Sequence, residues 1–391
     1  MTSFFLDNNK DKFGYYTVGD FKTYSKMEAI ELADQLKKLP RWHFNDLEYS
    51  SYNWTVEPVE TLKELYARRA REIREKYDHV VIFYSGGIDS ENIVDTFVEN
   101  NIPFDELATM NYFGLDSRPD TYFHAEQTKV SFPKIRSLKE KGIDFLHRAI
   151  DLSEIAHDIL TDSSWNLKRA YYGNSHSSTM HLAKTFIRER TRDYLDLIEQ
   201  GKKLVFVWGA DKPRLKRDRY NRLVVQFADY ISAAMGTRTQ IENRPWEHDE
   251  LFYWDPSCCD LICKQIHTVR KFVEKFPSLK LERITSDDPV VEPDLLAFFK
   301  SKGITTGLKY VNIVNWLVYP NFQFDMFTVG KPGLFTVYSQ RDESWTKDNL
   351  FRVQHDFLAQ HYRGVPLHWL RDVKQPCDGL KTFYTSHRIE C

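Results

Sequence analysis

The chain has 391 residues, of which 42% are hydrophobic and 28% charged, with a formal net charge of −2. Its 27 Phe, 21 Tyr and 9 Trp exclude wholesale disorder, because that much aromatic surface is not left in water. The charge balance gives no overall pull toward nucleic acid or an anionic membrane, and no apolar stretch approaches the roughly 20 residues that span a bilayer. The first ten residues lack a basic start followed by an apolar run, so no secretory signal and no membrane partner are expected. Five cysteines are a sparse and odd set for this length. They argue for a reducing compartment, with the cytoplasm as the expected location.

Met27 to Leu39 is predicted helical, with Ala29, Ile30, Leu32, Ala33 and Leu36 at helical spacing and Pro40 as terminator. Arg41 to Glu57 is expected to be irregular, with Trp42, Phe44, Tyr49, Tyr52 and Trp54 as anchors on a neighbouring surface. Residues 1–60 are therefore expected to be an N-terminal extension. Thr61 to Tyr77 has the stripe of an amphipathic helix. The period then changes: His79 to Tyr84 is a continuous apolar run, the pattern of a strand buried on both faces. A glycine loop follows, then a helix beginning near Ser90, and a second strand at Glu106 to Asn111. That order is a βαβ unit.

The alternation continues with a helix at Phe132 to Lys141, a strand at Asp144 to Ile150, helices at Leu152 to Leu160 and His181 to Glu199, and a buried strand at Lys203 to Trp208. Residues 61–242 are expected to be one α/β domain with a parallel sheet and helices on both faces. Beyond it, 243–391 is expected to be an irregular, specificity-determining lobe, with helices at Cys259 to Phe276 and Pro293 to Lys302.

The chemistry concentrates in Ser85-Gly86-Gly87-Ile88-Asp89-Ser90. A helix start has unpaired N–H groups and the positive end of the helix dipole. Two glycines let backbone approach a ligand closely, and the serines add hydroxyl donors, which together make a phosphate cradle. Asp89 inside such a cradle makes sense if a divalent cation sits between carboxylate and phosphate. The alternative is an ordinary capped turn, which also favours Ser, Gly and Asp. Neither G-x-x-x-x-G-K-[ST] nor G-x-G-x-x-G occurs, which disfavours Walker-type NTPases and dinucleotide-binding dehydrogenases.

The loop resembles the SGGxDS motif of the PP-loop ATP pyrophosphatases, the adenine nucleotide alpha hydrolase-like superfamily. The resemblance implies a flavodoxin-like (HUP-type) parallel sheet with ATP and Mg2+ as cofactors. It implies adenylation of a carboxylate or carbonyl oxygen, release of pyrophosphate, and displacement of AMP by an amine. Carried over, Ser85, Gly86, Gly87, Asp89 and Ser90 would hold the β and γ phosphates, with Asp89 also facing magnesium. By position, Met110 at the second strand's end would lie against adenine. The order of motifs is loosely similar to the synthetase domain of asparagine synthetase. There a Gly-x-Gly-x-Asp-Glu turn corresponds to Gly209-Ala210-Asp211-Lys212 here, and Asp211 would support magnesium and pyrophosphate.

Two departures from that pattern matter. No glutaminase domain with an N-terminal cysteine is expected, since Thr2-Ser3 follow Met1, and free ammonia or another amine would then be the expected nucleophile. Lys212 stands where the family has an acid, which puts asparagine as product in doubt. Lys212 and Arg214 could instead stabilise charge on leaving pyrophosphate. They open the run Lys212 to Arg222, which holds six basic residues and one acid, and which could bind nucleic-acid phosphate or form a solvated loop. Cys258, Cys259, Cys263 and His267 have partial zinc spacing, with a buried helix stripe as the alternative. Cys377 and Cys391 are isolated, and His176 and His181 flank a polar loop or helix start.

The expected function is an ATP-dependent ligase with small-molecule acid and amine substrates. Its rivals are a nucleobase-modifying enzyme acting on tRNA or DNA by the same adenylation, and a non-catalytic nucleotide-binding protein. A homo-oligomer is left open.

Overall fold

A computed structural model describes residues 11–111, 127–151, 191–229, 247–325 and 383–389. The predicted helix at 152–160, residues 181–190, His176, His181, Cys377 and Cys391 lie outside the described residues.

The N-terminal region is more regular than its sequence suggests. Strands β1 (Tyr15–Val18) and β2 (Phe21–Thr23) precede helix α1 (Lys26–Leu36), which strand β3 (Arg41–His43) and helix α2 (Asp46–Ser51) follow. The strands form an antiparallel sheet in the order β2-β1-β3. Pro40 does not end α1. The helix stops at Leu36 because Lys37 turns into the left-handed region at φ 53°, and its N–H bonds back to Ala33. The expected irregularity of 41–57 is corrected by β3 and α2, two elements too short to carry a period. The anchor residues do pack inward: Trp42, Phe44, Tyr49 and Trp54 are buried. The Tyr49 ring stacks on Phe227 at 4.4 Å, and its hydroxyl donates to the Trp254 carbonyl at 2.6 Å.

Helix α3 (Leu62–Lys76) opens on a capping box, in which Thr61 Oγ1 accepts from Glu64 N at 3.3 Å and Glu64 Oε2 accepts from Thr61 N at 2.7 Å. Its apolar stripe covers helix α4 (Ile88–Glu99). Strand β4 (His79–Phe83) lies between them in the chain. Next come β5 (Glu106–Asn111), α5 (Phe132–Glu140), β6 (Leu146–Asp151), α6 (Arg192–Glu199) and β7 (Leu204–Trp208). Then follow β8 (Arg214–Arg217), β9 (Leu223–Ala228), β10 (Glu247–Leu251), α7 (Cys259–Lys275), α8 (Pro293–Ser301), α9 (Tyr310–Val318) and β11 (Tyr384–Arg388).

The architecture is mixed α/β, with a five-stranded all-parallel sheet flanked by helices. Its order is β10-β7-β4-β5-β6. From β4 the chain builds outward through β5 and β6, then returns to the other side of β4 for β7 and β10, so the order reverses between β4 and β7. β4 and β7 are buried along nearly their whole length, as an apolar run without alternation requires. β10 lies beyond residue 242, past the expected limit of the α/β domain, and is the outer strand of the same sheet. Its sequence Glu-His-Asp-Glu-Leu carries no apolar run to announce it.

At the start of the strands, Glu106 ties three elements together. It accepts from His79 at 3.0 Å, Arg148 at 2.9 Å and the Tyr194 hydroxyl at 2.9 Å. The opposite ends of the strands carry the candidate site. A second antiparallel sheet, β11-β9-β8, begins at the turn beyond β7. No helix among the described residues is long and apolar enough to cross a membrane.

Candidate functional site at the ends of β4 and β7

The register sets Phe83 opposite Trp208, so β4 and β7 end level, and the two rings stack at 4.0 Å. Beyond Phe83, Tyr84 N still donates to Ala108 O at 2.9 Å, and then the chain leaves the sheet. Gly86 sits at φ 85°, where a side chain is strained, so the turn needs glycine there. Gly87 is the N-cap of α4 and has no side chain to accept from the first-turn N–H groups. The helix starts at Ile88, two residues before the expected start near Ser90, so Asp89 and Ser90 belong to its first turn.

The two loop hydroxyls face each other. Ser85 Oγ and Ser90 Oγ are 3.3 Å apart, Ser90 Oγ donates to Gly87 O at 2.9 Å, and Ser85 Oγ accepts from Gly87 N at 3.2 Å. Ser90 is buried, so its hydroxyl fixes the loop's shape.

Gly209 explains how the second turn comes so near. A Cβ at this position would lie 2.8 Å from Ser90 N and 2.9 Å from Ser90 Cα, distances that real Cβ atoms do not occupy. The turn after β7 therefore rests directly on the first turn of α4. The next residues project at Asp89: Lys212 Nζ lies 3.4 Å from Asp89 Oδ1 and 3.7 Å from Asp211 Oδ1. Arg214 donates to Asp211 Oδ2 at 2.8 Å. Burial opposes ionisation of Asp211, but the Lys212 and Arg214 charges outweigh it and hold the carboxyl below its usual range.

Met110 stands two residues past Ala108 at the end of β5, partly buried against the core. The ends of β5, β4 and β7 thus bring Met110, the 85–90 loop and the Asp211 turn to one edge of the sheet. Lys212, Arg214, Asp211 and Asp89 form one charge cluster, as their pairing distances show.

Three further groups belong to the cluster. Tyr319 donates its hydroxyl to Asp89 Oδ1. Burial, and then the Asp89 charge, raise the Tyr319 phenol well above its ordinary range, so it remains a donor. Tyr253 donates to the Asp89 carbonyl at 2.7 Å and accepts from Asn92 at 3.0 Å. Trp254 Nε1 reaches the carbonyls of Ala210 at 3.1 Å and Asp211 at 2.8 Å. Tyr253 and Trp254 follow β10. Tyr319 follows α9, whose apolar spacing (Tyr310, Ile313, Leu317) ahead of Pro320 was the available signal.

The two carboxylates suit magnesium, which takes one or two protein carboxylates and fills its shell with substrate phosphate and water. Lys212 works against that fit: its ammonium already lies within 4 Å of both carboxylates and competes with a metal cation for them. Among the described residues no group of three or more His, Cys, Asp or Glu side chains is arranged to hold a metal alone.

The rest of the basic run is a β8–β9 hairpin with ladder pairs from Arg214–Gln226 to Arg217–Leu223, in place of the solvated loop that was one of its two alternatives. At its tip Arg222 pairs with Asp218 at 2.6 Å, and Arg219 and Arg222 both lie 4.7 Å from the ring centroid of exposed Tyr220.

The cysteines form the buried stripe. Cys258 Sγ donates to Asp255 O at 2.9 Å, Cys259 Sγ to Pro256 O at 3.1 Å and Cys263 Sγ to Val56 O at 3.4 Å, while His267 bonds Trp54 O at 2.9 Å. Burial pushes Cys258 up to about 12 and Cys263 up to about 11, so neither supplies thiolate at neutral pH. No protein-family model and no curated protein matches the chain.

Proposed function

We propose that the chain is an ATP-dependent ligase with a HUP-type sheet. On this reading it adenylates a carboxylate or carbonyl oxygen, releases pyrophosphate and passes the activated group to an amine. One observation carries the reading. The glycine loop and the Asp211 turn, far apart in sequence, follow the two adjacent strands between which the sheet order reverses, and Lys212 spans them at 3.4 Å. Parallel α/β sheets bind ligands at the strand ends of that crevice.

The backbone N–H groups of the α4 first turn and its dipole would hold the β and γ phosphates. Asp89 and Asp211 would hold magnesium, which supplies charge neutralisation on the phosphate oxygens. Tyr319 and Tyr253 fix Asp89 through its side chain and its backbone. Lys212 and Arg214 stabilise the charge that develops as the bond from the α-phosphorus to the oxygen bridging it to the β-phosphorus breaks and pyrophosphate departs with that oxygen and the electron pair. The substrate oxygen forms the new bond to the α-phosphorus. The amine nitrogen then attacks the activated carbon, and AMP leaves. Positioning and electrostatics supply the catalysis, with no covalent enzyme intermediate.

The test incubates the protein with ATP, Mg2+ and mixtures of acids and amines and identifies the nucleotide products. AMP and pyrophosphate support the reading; ADP and orthophosphate reject it. A nucleobase acceptor on tRNA or DNA is the second reading, supported by exposed Tyr220 between Arg219 and Arg222. It requires retention on nucleic acid that weakens steeply with salt.

A further inference from the structure

The outward face of the β2-β1-β3 sheet holds a second group of reactive side chains, none of them shared with the crevice at β4 and β7. Side chains alternate along β1: Tyr16 and Val18 are buried, while Tyr15 and Thr17 are partly exposed on the other face. The antiparallel register sets Tyr15 opposite His43 and Thr17 opposite Arg41 on β3, and Thr17 opposite Lys22 on β2. Tyr15, Thr17, Lys22, Arg41 and His43 therefore lie on one face. His43 is the diagonal neighbour of Thr17, a separation that long side chains cross.

His43 Nε2 lies 2.9 Å from Thr17 Oγ1, and His43 Nδ1 lies 2.6 Å from Asp46 Oδ2. The local sequence explains the second contact. Asn45 takes the left-handed conformation at φ 47°, which asparagine tolerates, and the chain turns so that Asp46, the first residue of α2, faces back to β3. Asp46 Oδ1 also accepts from Phe44 N at 3.2 Å, which fixes the carboxylate. An ionised carboxylate only accepts, so Nδ1 carries the proton, and the neutral ring offers its Nε2 lone pair to the Thr17 hydroxyl. The Tyr15 ring stacks on the imidazole at 4.8 Å and 11° and holds its plane. A hydroxyl, an imidazole and a carboxylate bonded in this order match a nucleophile, its base and the group that orients the base.

The two cations beside Thr17 differ. Lys22 is paired with both oxygens of Asp11, at 2.7 and 2.8 Å. Arg41 is exposed and makes no ion pair among the described residues. Burial, Asp11 and Asp46 raise the Tyr15 phenol and Arg41 opposes them, so the guanidinium charge is felt within this group.

We propose that this face is an acyl-transfer site for small carboxylic esters, with Thr17 as nucleophile and His43 as general base. Thr17 Oγ bonds to the ester carbonyl carbon, its proton passes to His43 Nε2, and the alcohol leaves with that proton. Water then bonds to the acyl carbon and gives a proton to His43. The bond from that carbon to Thr17 Oγ breaks, and Oγ takes the proton back. The net reaction is ester plus water to acid plus alcohol. Arg41 is the cation available to the charge that develops on the carbonyl oxygen. Asp46 is a positioning residue that acts through His43. The ligase reading is not needed for this site, and the ATP product test is independent of it.

The experiment treats the full chain with a fluorophosphonate probe, locates the adduct by peptide mass mapping, and follows p-nitrophenyl acetate hydrolysis in parallel. One adduct is expected, on Thr17. Thr17→Val keeps the side chain's shape and should carry none, whereas Thr17→Ser should restore it. His43→Gln should slow labelling by roughly 100-fold. Asp46→Asn should slow it too, and should move the ring proton from Nδ1 to Nε2, read by nitrogen NMR of the imidazole; an unchanged tautomer would remove Asp46 from the proposal's proton path and overturn that assignment. Ester turnover should follow the same order among the variants. Circular dichroism verifies that each variant folds. Absence of an adduct, an adduct on another residue, labelling unchanged in His43→Gln, or equal ester turnover in wild type and Thr17→Val overturns the proposal.

Discussion

Lys212 Nζ stands between two carboxylates supplied by the turns that follow neighbouring strands, 3.4 Å from Asp89 Oδ1 and 3.7 Å from Asp211 Oδ1. The ammonium is buried, so its interactions are weakly screened, and it ties the two turns together side chain to side chain where their backbones pack. Replacing it by the neutral, similarly long Met leaves both carboxylates facing one another with Arg214 as the remaining cation. For Lys212→Met we predict that pyrophosphate release falls by about 100-fold. Affinity of the ATP-free protein for Mn2+, read by electron paramagnetic resonance, should rise. Unchanged Mn2+ affinity would separate Lys212 from the cation site.

Asp89→Asn retains the shape of the side chain and an oxygen to accept from Tyr319, but removes the charge. Turnover to AMP and pyrophosphate is expected to drop by at least about 100-fold, while circular dichroism and melting stay near wild type. Wild-type turnover in the variant would show that the loop carboxylate has no part in the chemistry.

Gly209 is a packing constraint. A Cβ there meets backbone atoms of Ser90 at 2.8 and 2.9 Å, which cannot rotate away as a side chain could. Gly209→Ala should cost about 1–3 kcal/mol, as overpacking does, and should weaken ATP binding because the strand-end turn is lifted off α4. Denaturant melts and nucleotide titration measure the two effects. A variant with unchanged stability would mean that the contact relaxes without consequence.

The clamp at the other end of the strands makes a pH prediction. Burial alone would raise the Glu106 carboxyl, but hydrogen bonds from His79 and Arg148, the Arg148 charge and the Tyr194 hydroxyl hold it at about 2. A carboxylate depressed in the folded state stabilises the fold above its unfolded value near 4.3, and loses that contribution as pH falls from there toward about 2. The shift corresponds to about 3 kcal/mol at neutral pH. Urea midpoints measured from pH 6 to pH 2.5 should decline through this window. In Glu106→Gln, stability near neutral pH should be lower and the acid-side decline shallower; an equally steep decline would assign it to other carboxylates.

Much of the sheet and of the glycine loop was legible because buried parallel strands are apolar runs and a tight turn into a helix favours glycine and serine. β4, β5 and β7 lie where their runs predict them, and the 85–90 loop leads into a helix start. β10 was illegible because an edge strand with the sequence Glu-His-Asp-Glu-Leu carries no hydrophobic period, and its place in the sheet is set by pairing with β7. Tyr253 and Tyr319 escaped for a related reason. A tyrosine's sequence context does not show that its hydroxyl will meet an aspartate 164 or 230 positions away. Lys212 was visible as a departure from an expected acid, but only its position between Asp89 and Asp211 shows it replacing a repulsion with an attraction.

Trp254 has one more consequence. Its indole N–H is bonded to the carbonyls of Ala210 and Asp211, so the chromophore is wired to the hinge of the strand-end turn. Displacement of that turn would alter the indole's electrostatic surroundings and shift its emission. The molecule thus carries an intrinsic optical gauge of its own crevice, readable on unlabelled protein, with Trp254→Phe as the blank.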